Sequence, residues 1–155
     1  MKEITEKEAL NKMASFCSSS EHCKHEVKEK LRKWELDEEV VERIILTLEK
    51  ENYLNEERYC ESFVHDKLYI DKWGKLKIAQ ALYYKKISDR IIQRYLNEIK
   101  DKDYLDILNK LLVNKKRTIK AKNEYELKGK LIRFAYGKGF SMEDITKCIP
   151  ELDDF

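Results

Sequence analysis

Cys17, His22, Cys23 and His25 lie close together, and they are residue types that bind zinc. Their spacing does not fit the paired C-x2-4-C and H-x3-5-H pattern of a structural zinc site. On one helix, Cys23 and His25 would also point to different sides. The four residues therefore read as buried or helix-terminal thiols beside solvated histidines, and no metal is expected. Catalysis fares no better. There is no phosphate-binding loop, no dinucleotide fingerprint and no nucleophile elbow. The carboxylates are spread over exposed helix faces, whereas acid–base chemistry needs converging titratable groups. The expectation is a protein that is not an enzyme, with no catalytic residues and no cofactor.

The cations are a better lead. Net charge is only +2, from 32 basic and 30 acidic residues, but the distribution is uneven. Acids dominate from Asp37 to Glu61. From Lys110 to Lys122 the chain carries Lys110, Lys115, Lys116, Arg117, Lys120 and Lys122 with no acid. A second group is Lys72, Lys75, Lys77, Lys85 and Lys86. Such asymmetry points to a polar partner surface, although a solvated basic helix is the commoner cause of any single run. Tyr83 and Tyr84 beside Lys85 and Lys86 have the composition to stack bases while lysines hold phosphates. The commoner use of such aromatics is to finish a small helical core, and that is the expectation. Arg58 is expected to be a structural ion-pairing residue, and Trp73 to pack at a junction between helices.

These groups must be positioned by helices. The 155 residues are 40% charged and 42% hydrophobic, with one proline and four glycines. Leu, Lys and Glu dominate, which favours an all-α fold. No apolar run approaches the roughly 20 residues that span a bilayer. The start of the chain shows no apolar signal-peptide core, so the cytoplasm is the expected compartment and four free thiols fit it.

One local pattern occurs three times. Leu36 precedes an N-cap at Asp37 and can staple to Val41. Ile87 precedes Ser88 and can staple to Ile92, and Phe140 precedes Ser141 and can staple to Ile145. The staples recur about every fifty residues, a period that signals tandem repeats. Between them the spacing predicts nine helices. Thr5 opens the first with Glu8 in a capping box, and the second runs from about His22 to Trp34. Asp37 caps the third, with Val40, Val41, Ile44, Ile45 and Leu48 as its apolar stripe. Asn55 caps the fourth, which carries Tyr59, Phe63, Val64 and Tyr69 or Ile70 inward. Leu76, Ile78, Ala81 and Leu82 mark the fifth, and Ser88 opens the sixth. Tyr104, Leu105, Leu108, Leu111 and Leu112 mark the seventh, with the basic stretch to Lys122 as its end or a loop. Leu127, Leu131 and Ala135 line the eighth, which Gly137–Gly139 stops. The ninth runs from Ser141 and stops before Pro150.

Four stretches resemble the RecX regulators of the bacterial RecA recombinase. They are His22–Leu31 with Leu36–Val41, then Tyr53–Val64, then Lys72–Ile78 through Ile87, and finally Gly137–Phe140. Tyr53-Leu54-Asn55-Glu56-Glu57-Arg58-Tyr59 is similar to the family's Tyr-Leu-(Asp/Asn)-x-x-Arg-(Phe/Tyr) segment. Cys23 stands where that family often has serine, Cys60 where it often has alanine, and Lys86 where it often has glycine. The resemblance implies three tandem three-helix repeats, in agreement with the period, and the expectation is a monomer whose repeats, residues 1–52, 53–100 and 101–155, form an elongated curved array. It implies a regulator that binds the RecA–DNA filament and inhibits ATPase and strand exchange in recombination, DNA repair and the SOS response. The basic groups named above, Lys72 to Lys86 and Lys115 to Lys122, are the candidate contacts to RecA or to single- or double-stranded DNA. The alternatives are a helical protein that binds DNA without RecA, and a scaffold for an unrelated protein.

Overall fold

The computed structural model describes residues 3–152, so the outermost ends of the first and third expected repeats lie outside the described residues. Among those residues the chain is all-helical: α1 (Glu6–Ser19), α2 (Lys24–Arg32), α3 (Glu38–Lys50), α4 (Glu56–Tyr69), α5 (Lys75–Tyr84), α6 (Asp89–Asn97), α7 (Asp101–Lys116), α8 (Glu124–Gly137) and α9 (Met142–Leu152). The main helix–helix packing falls within three triplets, α1–α3, α4–α6 and α7–α9, referred to below as repeats 1, 2 and 3.

Caps start the helices largely as their sequences suggest. Thr5, Asn55, Ser88 and Asn123 each accept from a first-turn backbone N–H, as Asn55 Oδ1 does from Arg58 at 2.9 Å. Ser141 Oγ accepts from Asp144 N–H at 3.1 Å. Asp37 is an exception: it stands at the N-cap position of α3 with extended backbone, yet its carboxylate makes no cap hydrogen bond. Its charge, with Glu38 and Glu39, still complements the helix dipole. The residue before each staple is left-handed: Glu35 at φ 54°, Lys86 at 64° and Gly139 at 101°. Glycine takes this conformation freely, whereas a side chain makes it costly.

Three expectations about the helices are corrected, and the alternative left open for the basic stretch is resolved. α2 ends at Arg32 rather than Trp34, because the left-handed Glu35 turns the chain back. Tyr69 and Ile70 are 41% and 70% exposed, and Cys60 and Leu68 take the inner face of α4 with Tyr59 and Val64. The basic stretch divides: α7 carries Lys110 to Lys116, and residues 117–123 form the connection to α8. α9 continues through Pro150 to Leu152, as Ile145 and Cys148 anchor it and a proline near a helix end removes only one ladder bond.

Two apolar clusters result. Repeat 1 closes its own, with Ala9, Met13, Val27, Leu31, Val41, Ile44, Leu48 and Leu54. Repeats 2 and 3 share the other, from Tyr59 and Ile78 through Leu108 and Leu131 to Phe140 and Ile145. Cys23 is the single buried repeat-1 residue in that larger cluster, among the described residues.

Candidate functional site

α5 carries candidate cations at both ends, and each end meets a different neighbour. At its start, Gly74 N–H donates to Lys138 O at 2.8 Å and Leu76 N–H donates to Gly139 O at 3.0 Å. Lys75 N–H donates to the Tyr104 hydroxyl at 2.8 Å, and Lys138 Nζ donates to Asp71 O at 2.8 Å. The two glycines lie so close that a Cβ on Gly74 would strike the backbone of Gly139 and Phe140. A Cβ on Gly139 would fall 2.7 Å from Lys77 N. Here glycine answers close backbone approach as well as positive φ. Trp73 packs against the shared core, as expected, between Lys67 Nζ at 4.6 Å and Lys77 Nζ at 4.4 Å. Burial pushes the Tyr104 hydroxyl up to about 12, and the bond from Lys75 N–H partly offsets it.

At the far end of α5 the neighbour is repeat 1. Lys85 Nζ lies 3.3 Å from Glu26 Oε2. Glu26 also accepts from Cys23 N–H at 3.2 Å and lies 3.1 Å from His22 Nδ1. Burial pushes this carboxylate up, but those partners outweigh it and hold Glu26 below its ordinary value. Glu56 accepts from Lys24 N–H at 3.3 Å. Its burial wins over that bond, helped by Glu49 and Glu26, and its pKa is raised. Arg58 pairs with Glu21 and donates to Asn52 O at 3.1 Å and Tyr53 O at 3.3 Å. The Tyr53–Tyr59 motif is thus the joint itself: Leu54 belongs to the repeat-1 core, Asn55 caps α4, Arg58 fastens the connection and Tyr59 enters the larger core.

The candidate cations divide by what already holds them. Lys72 Nζ donates to Tyr69 O at 2.6 Å, Lys75 sits 4.7 Å over the Tyr104 ring and Lys77 rests on Trp73. Lys115 lies 4.7 Å over Phe134, and Lys116 is half-buried and engaged. Lys86, Arg117, Lys120 and Lys122 are exposed and form no ion pair among the described residues. The groups are brought together only in part. Lys75 and Lys85 are separated by the length of α5, about 15 Å. Lys72 shares a groove of about 510 Å³ with Lys110 and Asn114 of α7, a face that Arg117 continues one turn on.

Sequence reasoning passed over Lys24, Lys28 and Arg32. They recur every four residues along α2 and line a cleft of about 460 Å³ with Lys85 and Lys86. The i, i+4 spacing was the available signal. Each is paired toward α3, with Glu49 at 3.2 Å, Glu42 at 3.5 Å and Glu38 at 4.0 Å. Tyr83 and Tyr84 do not finish a core, contrary to expectation: they are 46% and 71% exposed, because α5 turns Ile78 and Leu82 inward instead. Tyr83 hydrogen-bonds Asp89, and Tyr84 meets the edge of His25 at 5.9 Å. Among the four cysteines, all buried, the thiols of Cys17 and Cys23 are pushed up to about 11 and Cys60 to about 12 by burial.

Three-helix units in tandem, with charged groups at their seams, define a helical-repeat protein, a class that builds long binding faces. Family models for the first, second and third three-helix domains of RecX match residues 9–48, 55–96 and 101–149. The chain belongs to the RecX family. It is 30% identical over 149 residues to the regulatory protein RecX of Clostridium acetobutylicum, covering 93% of this chain and 68% of that one. With the regulatory protein RecX of Clostridioides difficile the identity is 31%, covering 95% and 69%. The chain spans 52% of the length of the Bacillus cytotoxicus relative. The crystal structure of RecX from Lactobacillus salivarius superposes with a TM-score of 0.86 at 25% identity over 97% of both chains. Among the described residues no helix is long and apolar enough to cross a membrane.

Proposed function

We propose that this chain is a non-enzymatic regulator of RecA. It binds the RecA–DNA filament and restrains its ATPase and strand exchange, in the cytoplasm, during recombination and DNA repair. The observation that carries this reading is the match of all three repeats, in order, to the three RecX domains. The contact groups are the cations on the two flanks of α5 and at the end of α7. Lys86, Arg117, Lys120 and Lys122 lead them, since their charges are exposed and unpaired among the described residues. A filament groove offers phosphates and acidic side chains, and either attracts such groups. The reading of a protein that coats bare DNA is less favoured, because Lys24, Lys28, Arg32 and Lys85 are neutralised by glutamates.

The test is the single-strand-dependent ATPase of RecA titrated with this chain at moderate salt. The parent should inhibit. Reversing Arg117, Lys120 and Lys122 to Glu should weaken inhibition at least about tenfold while the protein stays folded, as exposed charges matter little to stability. Undiminished inhibition by the folded variant removes the α7–α8 connection from the contact surface. No inhibition by the parent removes the reading itself.

A further inference from the structure

The seam between repeats 1 and 2 is thin. A cleft of about 460 Å³ opens on one side of it, between α2 and the far end of α5. A second of about 310 Å³ opens on the other, between the α1–α2 connection and α4. Between the clefts, the apolar plug among the described residues is Cys23, whose Sγ lies 4.0 Å from Lys85 O. Apart from the edge contact of Tyr84 with His25, the rest of the seam is polar. Glu26 meets Lys85, Glu21 meets Arg58, and Glu56 takes Lys24 N–H. The Glu26, Lys85, Glu21 and Arg58 side chains are between 23% and 37% exposed, so solvent and salt reach them. The other seam has backbone hydrogen bonds, a shared apolar core and no room for a methyl group.

We infer that the chain moves as two bodies: repeat 1 is an arm that swings on an ionic joint, against a rigid block of repeats 2 and 3. The arm pivots where Leu54, held in its core, hands over to Asn55 at the start of α4. Arg58 and Glu26 are the two ties that set the angle. Screening the ties frees the arm, while nothing in the backbone clasp responds to salt. This inference is independent of the RecA reading, since it concerns how the molecule moves and not what it binds.

Pulsed electron paramagnetic resonance tests it on the full chain. Spin labels go on cysteines introduced at exposed sites, with two labels per chain confirmed by mass. Leu46→Cys with Arg90→Cys spans the first seam, and Arg90→Cys with Arg133→Cys spans the second. Between 0.1 M and 1 M salt the Debye length falls from about 10 Å to about 3 Å, and the first distance distribution should roughly double in width. The second should stay narrow. Arg58→Met at 0.1 M salt should broaden the first distribution as salt does. The salt series on the parent needs no altered tie, so misfolding of that variant does not spoil the test. A first distribution that stays as narrow as the second at 1 M salt overturns the proposal. So does a second distribution that broadens as much as the first.

Discussion

The two ends of α5 hold the molecule together by different means. At the start, Gly74 and Gly139 bring two backbones into direct hydrogen-bonding contact, sealed by the Tyr104 hydroxyl and the shared core. At the end, Lys85 reaches Glu26 beside an open cleft. Both places contain a left-handed residue, Gly139 in one and Lys86 in the other. Only the first demands glycine, because Lys77 leaves no space for a Cβ. Similar repeats thus need not meet in similar ways. A backbone clasp fixes an angle, whereas a side-chain joint sets one that depends on its ions.

The largest effect should come from breaking the clasp. Gly139→Ala combines a strained φ with a clash against Lys77, and each costs about 1–3 kcal/mol. Urea unfolding should show a loss of about 3 kcal/mol or more, or no soluble protein. Gly129→Ala is the control: its Cβ meets only the Arg133 guanidinium at 3.8 Å, in mid-helix. It should stabilise by up to about 1 kcal/mol. A mild Gly139→Ala would mean that the clasp can part.

Tyr104→Phe should come next. It leaves the Lys75 N–H without its acceptor, for a loss of about 1–2 kcal/mol in the same unfolding experiment. Glu26→Gln, at the ionic joint, should cost less, about 1 kcal/mol or below, and the cost should fade at 1 M salt.

The smallest effect is a matter of pH. Glu26 is held below its ordinary value of 4.5, so its contribution is present above that pH and is lost as pH falls below it. Glu56 is raised above its ordinary value of 4.5, so its charge costs stability at neutral pH, and that cost shrinks as pH falls through its folded value and is gone below 4.5. Glu56→Gln should therefore stabilise at pH 7 by a few tenths of a kcal/mol after solvent screening, and by nothing at pH 4. Thermal melts at the two pH values would show it. Stabilisation at pH 4 alone would reverse the assigned sign.

Much of the fold was legible in the sequence because its signals are local. Ser88, Asn55 and Ser141 cap where they stand, and the staples Ile87–Ile92 and Phe140–Ile145 lie in a stripe that the helical period alone reveals. The joints were legible only as a motif. Nothing in Tyr53–Tyr59 by itself says that Arg58 fastens two repeats, because its partner Glu21 lies 37 residues away. The meeting of Gly74 with Gly139 is equally non-local. The candidate cations were found by counting charge, but counting could not separate Lys75 and Lys77, which rest on aromatic rings, from Lys120 and Lys122, which do not. Pro150 misled because its penalty is judged without the anchoring of the helix before it.

Relative affinity for the filament and for bare DNA identifies the partner. Fluorescence anisotropy should compare binding of the labelled chain to bare single-stranded DNA and to a preformed RecA filament, across a salt series. Binding to the filament should be clearly tighter at every salt concentration, with bare-DNA binding weak and steeply salt-dependent. Equal affinity for the two would contradict the RecA reading.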